Sequence, residues 1–290
     1  HNTIPATSAA ALNVHQMCNA LSSENDVVAY LPWKFWRQET WGGCSGFFDD
    51  VSYDESRIFD LPVTHSLFDI LALERMKSDF VQLVYCRKLS TAMYSIKGGL
   101  RTILELHSMY DLREMKDVAM QVVVSPLFEK LVVINEILAK DVIEYLDIQC
   151  AQLANKIVVA HDAVNLKLFE ADVSKLGEGF NVGYFGLIDK EKGATILCEM
   201  ASLLPDVTFH FVGKVTPAFE REFLNKSYSN LVVHGFKKHS EAIVLMKAMD
   251  VLALPNPPVM TLSKGDDIGR YTSPMKLFEY MAGGYHVHFL

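Results

Sequence analysis

Apolar runs of strand length alternate along this chain with stretches whose apolar residues recur at helical spacing. In the first half, 27–31, 80–85, 101–106, 131–135 and 157–160 read as strands, and helices are expected after Pro5 to about Leu21, over 66–77, up to about Lys97 and over 136–146. The pattern then restarts: a strand at 180–185, a loop at 186–193, a helix over 194–204, strands at 207–212 and 231–233, a helix over 240–249 and a strand at 251–254. Continuous Val, Ile and Leu, separated by helices, predict parallel sheets covered on both faces. The expected fold class is therefore α/β, with two βα series each building its own core. The break after His161-Asp162-Ala163-Val164-Asn165 divides 1–165 from 166–290. Such a pair is expected to leave a cleft between strand ends, where ligands bind. The stretch 33–60, with Trp33, Trp36 and Trp41, reads as a long loop or small excursion, its aromatics serving local packing or gripping an acceptor or lipid.

Chemistry concentrates in the last expected helix. Ser273 suits an N-cap and Pro274 the first helical position, and the helix should stop near Gly283. Leu277, Phe278 and Met281 fall on a stripe for the core, while Ser273, Lys276, Glu279 and Tyr280 fall on one that can face a cleft. A helix N-terminus with a lysine in its first turn attracts phosphate; the alternative is an ordinary capped helix with a solvated Lys276–Glu279 pair. The loop 186–193 opens a helix at a strand end, so its amides and Lys192 either cradle phosphate or form a solvated basic turn. It has neither the Walker order nor a G-x-G-x-x-G fingerprint. Arg87 and His107 each follow an expected strand, where a ligand would lie, although a lone histidine there is commonly structural.

Composition narrows the classes. Half of the 290 residues are hydrophobic, enough for sizeable cores, and the net charge of -8 opposes a dominant nucleic-acid role. Five scattered cysteines without a C-x-x-C pair fit a reducing, cytoplasmic setting. No apolar run approaches the roughly 20 residues that span a bilayer, and peripheral contact with a membrane stays open. The chain starts at His1 and stops at Leu290 in an apolar tail, so both ends look cut.

Five ordered blocks carry a family resemblance. They are Gly186-Leu-Ile-Asp-Lys-Glu-Lys-Gly193, Leu203 through Gly213, His234-Gly-Phe236 with Ser240-Glu241, Asp250 through Asn256, and Tyr271 through Ala282. In order and spacing they resemble the donor-binding half of family 4 glycosyltransferases, over roughly residues 181–284. Glu105-Leu106-His107 and the hinge 160–165 are similar more loosely. The resemblance implies a GT-B fold of two Rossmann-like domains facing across a cleft, a nucleotide-diphosphate sugar as donor, a glycan, lipid or small-molecule acceptor, retention at the anomeric carbon, and no metal or other cofactor. Lys192 would hold the diphosphate, and Ser273, Pro274, Met275 and Lys276 would surround donor phosphate or sugar. Glu279 would take the ribose hydroxyls, Gly235 and Phe236 would lie beside the base, and His107 would approach the reacting sugar. Catalysis would thus fall to His107, Lys192 and Glu279. Tyr271 stands where the family's first glutamate is usual. Members also begin with a strand and glycine-rich turn and continue beyond the last block, so the second domain is expected to be incomplete. A non-catalytic nucleotide-binding module and a nucleotide-sugar epimerase or hydrolase are the alternatives.

Overall fold

The structure, a computed structural model, describes residues 9–33, 44, 48, 50–59, 65–146, 153–225, 228–255, 269–271, 275–285 and 288–289. It divides into two compact units, His1–Asp162 and Ala163–Leu290. Both are α/β, and every pairing between their strands is parallel.

The first unit runs α1 (Ala9–Ser22), β1 (Val28–Trp33), β2 (Asp54–Phe59), α2 (His65–Ser78), β3 (Leu83–Cys86), α3 (Leu89–Lys97), β4 (Arg101–Leu106), α4 (Tyr110–Glu114), α5 (Lys116–Val123), β5 (Phe128–Val133), α6 (Glu136–Leu146) and β6 (Ile157–Val159). β1 pairs with β2, and a separate sheet runs β3-β4-β5-β6. Three expectations change here. Part of the presumed loop 33–60 is a strand, with Val28 opposite Asp54 and Leu31 opposite Arg57. Its polar sequence, DESRIF, hides it from a search for apolar runs. Phe80 is not in a strand: it takes a left-handed conformation (φ 55°) at the end of α2, where its N–H bonds to Lys77 O. The strand expected at 131–135 starts and stops earlier, because Asn135 caps α6 instead, its Oδ1 accepting from Leu138 N–H at 2.8 Å.

The second unit runs β7 (Phe180–Phe185), α7 (Ala194–Leu203), β8 (Val207–Val212), β9 (Leu231–Gly235), α8 (His239–Lys247), β10 (Val251–Leu254), α9 (Met275–Ala282) and β11 (His288–Phe289). The strand order is β11-β10-β7-β8-β9. One core, with Tyr184, Leu197, Phe209 and Phe211, lies under α7; another, with Phe185, Met246, Leu252 and Tyr280, lies under α8 and α9. Burial on both faces explains why these strands lack in/out alternation. From β7 the chain steps outward to β8 and β9, then crosses back to β10 on the other side of β7. The strand order reverses there, and the carboxyl ends of β7 and β10 form the crevice where open α/β sheets bind ligands.

Candidate functional site

Two glycines let side chains and backbone converge at that reversal. Gly186 directly follows β7 with φ 137°, and a Cβ on it would run into Lys276 Nζ. Gly193 precedes α7 with φ 76°, and a Cβ there would strike the carbonyl oxygen of Pro255, just after β10. Any L side chain would be strained at either position as well as crowded.

Lys276 reaches over Gly186 from the first turn of α9. Its Nζ sits 4.6 Å above the Tyr184 ring centroid and 3.3 Å from the Tyr184 hydroxyl. Burial, followed by repulsion from Lys192, pushes its ammonium down to about 8, with Glu279 pulling the other way. Lys192 ends the turn Lys190–Lys192, which Asp189 fixes: its Oδ1 accepts from Glu191 N–H at 2.9 Å and its Oδ2 from Thr216 Oγ1 at 2.7 Å. Two lysines far apart in the sequence of the second unit therefore share one strand-end crevice.

Five amides of the loop 186–193 are already engaged. The N–H groups of Gly186, Ile188, Lys192 and Gly193 bond to Val212, Lys214, Asp189 and Lys190 carbonyls, and that of Glu191 to Asp189. The first-turn amides of α9, at Met275 and Lys276, are of the kind that lacks an intrahelical acceptor. Ser273 and Pro274 lie outside the described residues, as do Trp36, Trp41 and the side chain of Trp33.

The expected faces of α9 are corrected. Tyr280 is fully buried in the core, its hydroxyl near Phe185 N and Ala253 O, whereas Met281 is 60% exposed. Glu279 is also buried, and its partner is not Lys276 on a solvated face: Oε1 accepts from His239 Nε2 at 2.7 Å. A buried carboxylate needs such a donor. His239 and Tyr184 were not among the expected site residues; only their positions beside the strand ends signal them. Gly235, with φ 70°, closes β9, and the adjacent Phe236 is half-exposed. Tyr271 is buried beside a short 3-10 turn.

In the first unit, Arg87 and His107 do come together, at the carboxyl ends of β3 and β4, around a third residue. Glu105 is only 4% exposed and accepts from His107 Nε2, while Arg87 Nε lies 3.6 Å from the same Oε1. Burial by itself would raise the Glu105 carboxyl, but the bond to His107 and the Arg87 charge outweigh it and hold it below the usual range. His107 Nε2 also touches Arg87 Nη2. One ring nitrogen serves one partner at a time, so Nε2 either donates to Glu105 or accepts from Arg87. Asn13 on α1 anchors the arginine: its Oδ1 accepts from Arg87 Nη1 at 3.2 Å, and its Nδ2 donates to Asp162 at 2.8 Å.

Among the described residues, no group of three or more His, Cys, Asp or Glu side chains gathers as a metal site, and no helix is long and apolar enough to cross a membrane. No family model and no curated protein matches the chain. Solved structures do. Anabaena Alr3699/HepE in complex with UDP and glucose aligns with TM-score 0.64 at 15% identity, over 99% of this chain and 78% of its own. Sucrose-phosphate synthase from Thermosynechococcus elongatus aligns with TM-score 0.66 at 14% identity, over 97% and 75%. A glycosyltransferase from Rickettsia africae ESF-5 aligns with TM-score 0.67 at 13% identity, over 100% and 79%. The chain has the α/β fold of these GT-B glycosyltransferases.

Proposed function

We propose that this chain moves a sugar from a nucleotide-diphosphate donor to a glycan, lipid or small-molecule acceptor, and that the donor diphosphate binds between Lys192 and Lys276. One observation carries the reading: two ammonium groups converge at the strand-order reversal of the second unit, where burial and, after it, repulsion from Lys192 depress that of Lys276. A diphosphate relieves that repulsion. It also acquires negative charge as the sugar–phosphate bond breaks, so the same lysines stabilise the leaving group more than the bound donor. That HepE was captured with UDP and glucose supports the donor class.

The finer assignments belong to the same proposal. Transfer retains anomeric configuration and needs no metal or other cofactor, the lysines and the α9 N-terminus stabilising the leaving charge. Glu279 accepts from the ribose hydroxyls, Gly235 and Phe236 flank the base, and the amides of Met275 and Lys276 face phosphate or sugar. His107, held by Glu105, is the polar group the first unit supplies. The sugar transferred is a hexose, and the setting is cytoplasmic, with membrane contact peripheral.

The test incubates the protein with UDP-, ADP- and GDP-sugars, with and without acceptors. Transfer is expected, and Lys192→Ala should weaken nucleoside diphosphate binding roughly ten- to a hundredfold while sparing the nucleoside. Binding without turnover would identify a non-catalytic module, a role favoured by Tyr271 standing where the family's first glutamate is usual. Donor conversion without transfer would mark an epimerase or hydrolase, and no nucleotide binding at all would overturn the proposal.

A further inference from the structure

Glu279 is an unusual acceptor for a ligand, because a carboxylate with so little exposure could satisfy itself internally and have nothing left to offer. The hydrogen bonds around it show how this is avoided. Among the described residues its hydrogen-bond partner is His239, which meets Oε1 at 2.7 Å. A carboxylate has about four lone-pair sites, so one donor on Oε1 leaves Oε2 able to accept. The histidine is the more accessible member, its side chain 24% exposed against 11% for the glutamate.

His239 is well held for this role. It is the first residue of α8, and the backbone N–H of the preceding Lys238 donates to Glu241 Oε2 at 3.2 Å, which fixes the start of the helix. Glu279 comes from α9, forty residues further along. The following residue, Tyr280, is locked in the core by its ring and hydroxyl. Each partner is therefore anchored by its own element. Their bond sets the plane of a carboxylate that would otherwise rotate about its last side-chain torsion, which is broad for glutamate. Donation does not depend on charge state, because both the Nε2–H tautomer and the imidazolium donate from Nε2.

We infer that His239 is a positioning residue that binds Oε1 of Glu279 and thereby aims Oε2 at a ribose hydroxyl, which makes it a determinant of ribose recognition by the second unit. The inference rests on the nucleotide-donor reading above. His239 does not touch the nucleotide; it acts through the carboxylate. Removing it leaves the carboxylate charged and present but unaimed, so the loss should fall on hydroxyl recognition and spare the phosphate contacts.

The experiment measures dissociation constants by calorimetry for UDP, ADP and GDP, then for the 2′,3′-dideoxy form of whichever binds most tightly. Wild type should prefer the ribose form by about ten- to a hundredfold, the range for a hydrogen bond to a charged group. Glu279→Ala should lose most of that preference. His239→Leu should reduce it by about three- to tenfold while leaving the dideoxy affinity within about twofold of wild type, since only one orienting bond is removed. His239→Gln, whose amide nitrogen can reach the place of Nε2, should restore it. Should His239→Leu fail to fold, His239→Asn replaces it, its amide being too short to make the bond. Equal losses for both nucleotides would show a merely structural histidine and overturn the inference. So would a preference lost in Glu279→Ala but unchanged in the His239 variants. A wild type that binds no nucleoside diphosphate, or a Glu279→Ala that keeps the full preference, would overturn the underlying reading and the inference together.

Discussion

The strand ends of the two units handle charge in opposite ways. In the first, the buried Glu105 gathers Arg87 and His107 around one oxygen, so that the guanidinium already has a carboxylate beside it. In the second, burial and then the charge of Lys192 disfavour the Lys276 ammonium, Glu279 offsets only part of this, and the hydrogen bond of Glu279 goes to His239. A matched cluster contributes to the fold and positions one histidine. The buried Lys276 is held close to a second lysine at a cost to its ammonium, a cost that the proposed diphosphate would relieve. Local strain of this kind is a common mark of a binding site.

Breaking the matched cluster should have the largest effect. Glu105→Ala leaves the Arg87 guanidinium without its carboxylate, a change that typically costs about 3–5 kcal/mol in a buried pair. Chemical denaturation should show the first unit unfolding at markedly lower denaturant. A loss below about 1 kcal/mol would mean that Asn13 and solvent suffice to hold Arg87 and that the cluster is not matched as described.

Lys276→Met should act with the opposite sign. The folded value of about 8 lies below the ordinary 10.5 of lysine, so the unfolded chain holds more protons between these limits. Wild-type stability therefore rises with pH across that window, and the penalty is present in full below it. At pH 7 the methionine variant should be more stable by on the order of 2–3 kcal/mol, with the advantage shrinking as pH rises towards the upper limit. It should also lose about ten- to a hundredfold in affinity for a nucleoside diphosphate, and wild-type affinity should fall above pH of about 8 as Lys276 deprotonates. Thermal melting and calorimetry over a pH series read both effects. A destabilised variant would show that the Tyr184 contact outweighs the repulsion.

The smallest effect is expected from a polar chain that crosses the second sheet away from the lysines. His210 Nδ1 lies 2.9 Å from His234 Nε2, and His210 Nε2 lies 3.0 Å from Asn181 Oδ1. Burial lowers both imidazoles below the ordinary range, helped at His210 by His234 and at His234 by Lys237. The unfolded chain then binds protons first as pH falls, so stability present above about 6.5 is lost below it. His210→Gln should flatten the acid limb of the stability profile. An unchanged slope from pH 7 to pH 5 would assign acid sensitivity to other groups.

Much of the fold was legible because buried parallel strands are rich in apolar residues, as β10 is throughout and β4, β7 and β8 are over most of their length. β2 was not legible, since its polar first four residues leave few apolar positions. The helices of 110–123 went unassigned because their buried Leu112, Ala119, Val122 and Val123 lie among long polar stretches. At the candidate site, Lys192, Lys276 and Glu279 were legible as residue types next to strand ends and a helix start. The burial of Glu279 was not, because polarity suggested a cleft-facing side chain and its donor lies on another helix.

What the sequence determined by itself was which residues could share a face and which elements would form, since periodicity along one element is a local property. It placed a lysine after β7, another at the start of α9, and glycines where only glycine fits. The tertiary structure decided the partners. Strand order set the end of β7 beside that of β10, laid Lys276 over Tyr184 across 92 residues of chain, and brought His239 to Glu279 across 40. No periodicity encodes such distant pairings, because they depend on how whole elements pack against one sheet.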